Sequence, residues 1–404
     1  MYLFWLLALI PIIIGAVIFV KSKEINLLEF GIGTGVCLLL ALIFQVISIF
    51  TETGDYETIS GQIIRVEHHP RWVERYTLHH SETYTTGSGK NQRTHTRHWT
   101  TTEYDTHSEH WKGCADFGEF GEICENISEE NYSSIGLEFG NKSFTYGKQS
   151  ADHFGGTKSS GDNNIYAINN ETLVTVPAIS SKFFRNYIKA SPSLFSFSQV
   201  PTNINIYPYP ENNSFLVSER LIGTAQNLIN ARKFDEINAR LGPKKLVNVI
   251  LVGFNEKNQD LGQYQQAAWV GGKKNDLVLC FGGANRSHGA TWAYVFGWTE
   301  KEIVKKNLET ILLESPMNEE ILPKIEQEIV RNYQIKDWSK FSYISVEPPT
   351  WMYIVYFVVM IGTQAGLYIH FHNNEYSKDG ISYFKSNYAS MATYPKNRFN
   401  RFKR

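Results

Sequence analysis

Two long runs without one charged side chain, Tyr2–Val20 and Phe30–Phe50, constrain this chain more than any other feature. They hold 19 and 21 residues. At about 1.5 Å per helical residue, each reaches across a hydrocarbon layer about 30 Å thick. The polar link Lys21-Ser22-Lys23-Glu24-Ile25-Asn26 lies between them. So short a link predicts an antiparallel helix hairpin. A cleaved signal sequence is the competing reading. It needs a basic start and a small-residue cleavage site, and Met1-Tyr2-Leu3-Phe4-Trp5 carries no charge. The first run is therefore read as a retained anchor.

A third run without Asp, Glu, Lys or Arg follows Pro348-Pro349, from Trp351 to Phe371. Trp351, Tyr353, Tyr356 and Tyr368 lie near its ends, where interfacial aromatics gather. Basic residues then set the orientation. Lys21 and Lys23 lie in the link, and the tail holds Lys378, Lys385, Lys396, Arg398, Arg401, Lys403 and Arg404. Three spans place link and tail on one side, expected to be the cytoplasm. Residues 51–350 are then exoplasmic, in an inner or plasma membrane. Lys396, Arg398, Arg401, Lys403 and Arg404, interleaved with Tyr394, Phe399 and Phe402, are expected to meet anionic lipid head groups. Charge-free spans argue against an ion pathway. Gly31-x-Gly33-x-Gly35 in the second span predicts close packing against the first or third.

The expectation is an α+β membrane protein with three transmembrane helices, a β-rich exoplasmic region and an α/β sandwich domain. The helix hairpin covers 1–50, with spans at 2–20 and 30–50. The β-rich region covers 51–233, the α/β domain 234–347, the third span 351–371 and the basic tail 372–404. The net charge of −1 by itself says nothing about nucleic acid, which is not an expected partner.

Within the β-rich region, Arg75–Thr86 and Thr94–Asp105 flank Gly87-Ser88-Gly89-Lys90-Asn91-Gln92 and read as a long hairpin over 75–105. Thr, Tyr and His are expected on both faces, so the hairpin buries little and projects. Eight of the twelve histidines fall here or beside it. His79, His80, His95 and His98 are candidate ligands for a divalent metal, although His95 and His98 point to opposite faces of a strand. The alternatives are a solvated arm or a pH-responsive partner surface. Cys114 and Cys124 are ten positions apart; an oxidising compartment permits a disulfide, and two free thiols are the alternative. Phe183–Ala190 and Leu221–Arg232 read as helices, Asn203–Tyr209 and Ser214–Ser218 as strands.

From Asp235 helix and strand alternate. Asp235–Leu241 reads as a helix stopped by Gly242-Pro243, and Leu246–Phe254 as a buried strand. Leu261–Val270 reads as a helix, Asp276–Phe281 and Trp292–Trp298 as strands. Thr299 and Glu302 form a capping-box pattern opening a further helix, and Asn318–Tyr333 is amphipathic. Alternation of this kind builds an α/β sandwich. The loop Gly282-Gly283-Ala284-Asn285-Arg286-Ser287-His288-Gly289 follows a buried strand, where α/β folds place ligands. Gly282 and Gly283 permit close approach, Arg286 is a carboxylate or phosphate grip, and His288 is an acid–base candidate. A polar hairpin turn is the competing reading.

Over about Asp235–Tyr333 the chain resembles the TPM-type domain of membrane-anchored periplasmic and lumenal proteins. The resemblance rests on a helix ending at Ala268-Trp269, then Gly271-Gly272-Lys273-Lys274-Asn275-Asp276 entering an apolar strand, then a third strand and helices. Where that family has a Gly-Tyr-Gly-Leu-Glu-like turn, this chain has Phe296-Gly297-Trp298-Thr299-Glu300. The resemblance implies a membrane-tethered, phosphatase-like hydrolase with Asp276 and Glu300 as cation ligands. No nucleophile or acid–base arrangement can be assigned from spacing. The leading expectation is therefore a non-enzymatic protein whose exoplasmic domain binds a protein partner or further copies of itself, with no cofactor. Metal binding by the histidine-rich hairpin is the third reading.

Overall fold

The computed structural model describes residues 2–21, 27–191, 200–204, 206–211 and 214–373. The chain opens with helices α1 (Tyr2–Lys21) and α2 (Leu27–Thr53). Strands β1 (Gly54–His69), β2 (Trp72–Thr86), β3 (Arg93–His107), β4 (His110–Asp116) and β5 (Glu122–Ile127) precede helix α3 (Glu129–Glu138). Strands β6 (Ser143–Lys148), β7 (Thr157–Gly161), β8 (Asn164–Asn169), β9 (Pro177–Arg185) and β10 (Leu221–Gly223) follow. Then come α4 (Ala225–Leu228), α5 (Ala231–Lys245), β11 (Asn248–Phe254), α6 (Asp260–Ala268), β12 (Asp276–Gly282) and β13 (Trp292–Gly297). Helices α7 (Ile303–Glu314), α8 (Leu322–Asn332) and α9 (Thr350–Asn373) complete the described chain. Two compact units result: Met1–Asp55 with Phe184–Ser196 and Ser339–Arg404, and Tyr56–Phe183 with Phe197–Trp338.

In the first unit α1, α2 and α9 are each long and apolar enough to cross a membrane. They meet on a narrow seam of Phe4, Ala8, Cys37, Ala41, Met352, Tyr356 and Met360. Ile13, Val17, Leu39, Ile354 and Val358 point outward, a surface that water disfavours and lipid accepts. Trp5 Nε1 donates to Gln45 Oε1 at 2.6 Å. Gly33 meets α9: its carbonyl accepts from Gln364 Nε2 at 3.0 Å, while Gly31 and Gly35 face open space. Helix α2 starts ahead of the apolar run, so Glu29 lies within it and is buried. The helix expected over Phe183–Ala190 is not formed. Strand β9 runs on to Arg185, and Asn186 then donates its backbone N–H to Thr53 O (2.7 Å) and its side chain to Asp55 (2.9 Å). The basic tail lies outside the described residues.

Among the described residues the second unit contains three sheets. One has the order β5-β4-β1-β8-β6, with β9 also on β1. Ile63, Val66, Ala115, Ile168 and Ala178 form its core, capped by Ile135 and Phe139 from and just after α3. Ser128 caps α3 by accepting from Asn131 N–H. The second sheet, β10-β11-β12-β13, is parallel except for its last pair. Every residue of β11 and β12 is buried, because helices cover both faces. Leu241, Ile237, Leu308, Leu312, Ile325 and Ile329 from α5, α7 and α8 pack on one face. Leu261 of α6, Trp269, Ile204, Ile206, Tyr207 and Tyr209 cover the other.

Several boundaries differ from the sequence reading. The first sandwich strand is β10, inside the expected helix Leu221–Arg232. No strand forms in the described parts of 203–209 or at 214–218; Tyr207 instead exchanges hydrogen bonds with Gln265. Helix α5 continues through Pro243 to Lys245 and ends at Leu246 in the left-handed region. Proline there sits in the last turn, where few later bonds depend on it. Thr299 does not cap α7. Its hydroxyl donates to Gln334 O, and Glu302 is the residue preceding the helix.

Candidate functional site: an aromatic face on a two-stranded ribbon

Strands β2 and β3 pair in unbroken antiparallel register from Trp72↔His107 to Thr86↔Arg93. The third sheet is β3-β2-β7, and β7 reaches β2 only from Trp72 to Arg75. Beyond Arg75 the ribbon is two strands wide and mostly exposed. Gly87 makes the turn possible: its φ is +92° and a Cβ there would lie 2.5 Å from Asn91 O.

The register separates two chemically different faces, because alternate residues point to opposite sides. Trp72, Tyr76, Leu78, His80 and Tyr84 of β2 share one face with His107, Trp99 and His95 of β3. The rings are stacked: Trp72 on His107 (4.2 Å between centroids), His80 on Trp99 (5.2 Å) and Tyr84 on His95 (5.6 Å). Arg97 lies over Trp99 at 5.8 Å. The opposite face is hydroxyl-rich, with Thr77, Ser81, Thr83 and Thr85 facing Thr102, His98, Thr96 and Thr94. Thr, Tyr and His occur on both faces as expected, Thr86 and Thr101 beside the stacked rings and Tyr104, His79 and His98 on the other side, but the stacked ring pairs gather on one. Leu78, Tyr84 and Trp99 remain 40%, 46% and 39% exposed, so the aromatic face is a surface rather than a core.

A buried carboxylate fixes the ribbon's base. Glu74 is fully enclosed and accepts from His107 Nε2 (2.9 Å), Asp152 N–H (2.9 Å) and His153 N–H (3.0 Å). Its burial opposes ionisation, but these hydrogen bonds prevail and hold its pKa down to about 2. His153 stacks flat on Tyr76 at 3.5 Å. Gly156 has no room for a side chain, since a Cβ would sit 1.8 Å from Glu74 Oε1. Gln149 Nε2 donates to Pro70 O at 2.7 Å. The loop carrying residues 149–156 thus grips the ribbon where it leaves the body.

The histidines named from the sequence divide two and two. His80 and His95 lie on the aromatic face, His79 and His98 on the other. Among the described residues they do not gather closely enough to share an ion. Glu67, Cys114 and Cys124 do lie together, but the sulfurs are joined in a disulfide across the β4–β5 pair, with Cα atoms 4.0 Å apart.

The remaining named residues fall at opposite ends of β12. Gly282, Gly283, Arg286 and His288 follow its C-terminal end. There Asn285 Oδ1 accepts from Ser287 N–H, His288 N–H and His288 Nδ1, and Arg286 donates to Asn227 O. Gly282 lies under the Trp292 indole and Glu256 O, with no space for a Cβ. The loop is a tied turn, and its polar groups hold one another. Asp276 begins the strand at the other end and is fully buried. It accepts from Asn248 Nδ2 (2.8 Å), Lys273 N–H (2.8 Å) and Tyr209 OH (2.9 Å). Burial pushes its carboxyl above the ordinary range, against the pull of those donors. Glu300 is exposed, three residues after β13.

Around Asp276 lies a buried polar node with no counterpart in the sequence reading. Lys273 Nζ donates to Tyr56 O and Asn275 Nδ2 to Thr58 O, both at 2.6 Å. Arg220, 1% exposed, donates to Ser60 Oγ at 2.7 Å and stands 3.5 Å from Asp235. Glu57 is 2% exposed, with Oε1 3.8 Å from Lys274 Nζ and Oε2 lacking a hydrogen-bond partner among the described residues. The node fastens β1 to the sandwich. Its only sequence signal was four successive polar residues, Lys273 to Asp276, at the foot of an apolar strand.

Compared with known family models, curated proteins and solved structures, the chain matches none.

Proposed function

We propose that this is a membrane-anchored binding protein that presents its large unit outside the cytoplasm and docks a protein partner on the aromatic face of the β2–β3 ribbon. The observation that carries the reading is the exposed series Leu78, Tyr84 and Trp99 on an ordered ribbon. A hairpin alone is marginal in water, yet this one is gripped at its base and built to full register. Aromatic residues and Arg are the side chains that interfaces favour. The ribbon also leaves β3 as a sheet edge, open to an added strand. The orientation is supported by Lys21, Lys23 and the basic tail.

A photoreactive amino acid at Tyr84, in the full chain in its native membrane, tests the reading. The expected result is a discrete crosslinked partner that vanishes when Trp99→Ala is added. The same probe at Thr83 is expected to give none. Equal capture from both faces, or none from either, refutes aromatic-face docking. Capture of a second copy of the chain would make the contact an assembly interface.

A further inference from the structure

Strand β3 ends its sheet: β2 pairs with one side of it, and among the described residues no strand pairs with the other. The strand is 15 residues long and exposed along most of its length. Folded chains ordinarily blunt such an edge with proline, lysine, a bulge or a cover, because a bare edge recruits another strand. Strand β3 has no proline and no lysine, and its register with β2 carries no bulge. Six of its residues are threonine, with Trp99 and Tyr104 among the rest, side chains that favour extended pairing. On β2 the outer edge is already taken at the base by β7. The β3 edge is therefore the place for an added strand, and the side chains along it select which strand.

Arg93, Arg97, Glu103 and Asp105 are all exposed, and alternation puts all four on the aromatic face. The two bases precede Trp99 and the two acids follow it. Such an order is complementary to its own reverse. We propose that β3 pairs antiparallel with β3 of a second copy of this chain, about a two-fold axis between the two Trp99 residues, to join both ribbons in one continuous sheet. In that register Arg93 stands opposite Asp105 of the second copy and His95 opposite its Glu103, and the two-fold makes each contact twice. On the hydroxyl face Thr96 meets Thr102. Opposite charges and threonine pairs across adjacent strands stabilise a sheet, and like charges oppose it. A parallel, in-register pairing would set base against base and acid against acid. The overlap runs from Arg93 to Asp105 and stops short of His107, which Glu74 already engages. The contact uses the edge of the ribbon and sets two aromatic faces side by side, so it does not depend on what docks on them.

The test uses the full chain in detergent, with native mass spectrometry over a dilution series to read the share of dimer. The wild type is expected to be dimeric. Arg93→Glu and Asp105→Lys, each alone, should weaken association about tenfold, because each sets like charges opposite one another twice. Across its own ribbon Arg93 faces Thr86 and Asp105 faces Glu74. Neither change then opposes like charges across the strands of one copy, and the circular dichroism of both variants should match the wild type. Mixed in equal amounts, the two variants should recover wild-type association as a heterodimer, in which every Arg or Lys again faces an acid. A monomeric wild type, a dimer indifferent to either variant, or a mixture that associates no better than its parts overturns the inference. Crosslinking from Tyr84 keeps the two readings apart. A monomer that still captures a partner retains docking and loses the β3 pairing, whereas a charge-dependent dimer that captures nothing retains the pairing and loses docking.

Discussion

Replacing Glu57 with glutamine should make the protein more stable at pH 8 and leave it unchanged at pH 5. Burial is the largest influence on this carboxyl. Lys274 partly offsets it, Asp276 adds a like charge, and the pKa rises from the ordinary 4.5 to about 7. The folded state therefore keeps its proton where the unfolded chain has released it. Stability falls as pH rises from 4.5 to about 7 and stays lower above that. At about 1.4 kcal/mol for each pKa unit, the full penalty is about 3 kcal/mol. Glutamine matches the neutral acid in shape and cannot ionise. With part of the gain lost to an amide that lacks a full set of partners, about 2 kcal/mol remains at pH 8. For a unit of this size that is an increase of about 4–8 °C in Tm. Thermal unfolding of the full chain in detergent, followed by tryptophan fluorescence between pH 5 and 8.5, measures it. Lys274→Met should act in the opposite direction at pH 8, because it removes the cation that offsets the burial. A difference between wild type and Glu57→Gln that is independent of pH, or a less stable variant at pH 8, would refute the reasoning.

Three further outcomes are expected. Replacing residues 77–102 by a short glycine linker should leave the sandwich folded, seen as an unchanged unfolding midpoint, because the ribbon beyond Arg75 buries little. Removing the disulfide by Cys114→Ala with Cys124→Ala should cost about 2–3 kcal/mol for so short a loop, and a mobility difference between reduced and oxidised gels should report an oxidising compartment in the native cell. A peptide of residues 385–404 should bind anionic vesicles at low salt and release at high salt; equal binding to neutral vesicles would sink the lipid reading of the tail.

The parts legible in the sequence are those where one residue pattern decides the element. A run of about twenty uncharged residues admits few solutions besides a helix long and apolar enough to cross a membrane. Val249–Phe254 and Leu277–Phe281 are apolar on both alternating faces and so announce buried strands. Strand β10 gave no such signal, since three residues carry no period. The two faces of the ribbon could not be sorted by reading each strand alone. The pairing of Thr86 with Arg93 across the turn decides that Trp99 joins Tyr84 and His80 instead of the threonines. Glu74 had a faint signal. It is an acid in the alternating series Trp72, Tyr76, Leu78, a place where an unpaired charge would be expelled. Its partners His107 and His153 are distant in sequence, so the pairing was invisible. Only residues 277–281 separate Asp276 from the glycine loop in sequence, but a strand holds its ends about 20 Å apart.

The stacked rings on the ribbon admit a purely internal role, and the geometry separates it from docking. Cross-strand aromatic pairs contribute about 0.5–1 kcal/mol each to a sheet, and a long two-stranded ribbon needs such help. If self-support were the whole purpose, pairs at the base would serve best, where Glu74 and the 149–156 loop already hold the strands. Trp72 and Tyr76 do stack there, on His107 and His153, and both are shielded. The outer pairs, His80 with Trp99 and Tyr84 with His95, lie beyond the grip and keep Trp99 and Tyr84 open. Leu78 is exposed between the two groups and belongs to no ring pair. An apolar side chain left open on a rigid scaffold gains free energy only when something covers it, and a scaffold already ordered loses little entropy on being covered. Leu78→Thr therefore discriminates. It restores the hydroxyl character of the neighbouring strand positions and should leave unfolding unchanged within about 0.5 kcal/mol. Partner capture at Tyr84 should nonetheless weaken. A variant that lowers stability while capture persists would assign the aromatic face to the ribbon's own folding.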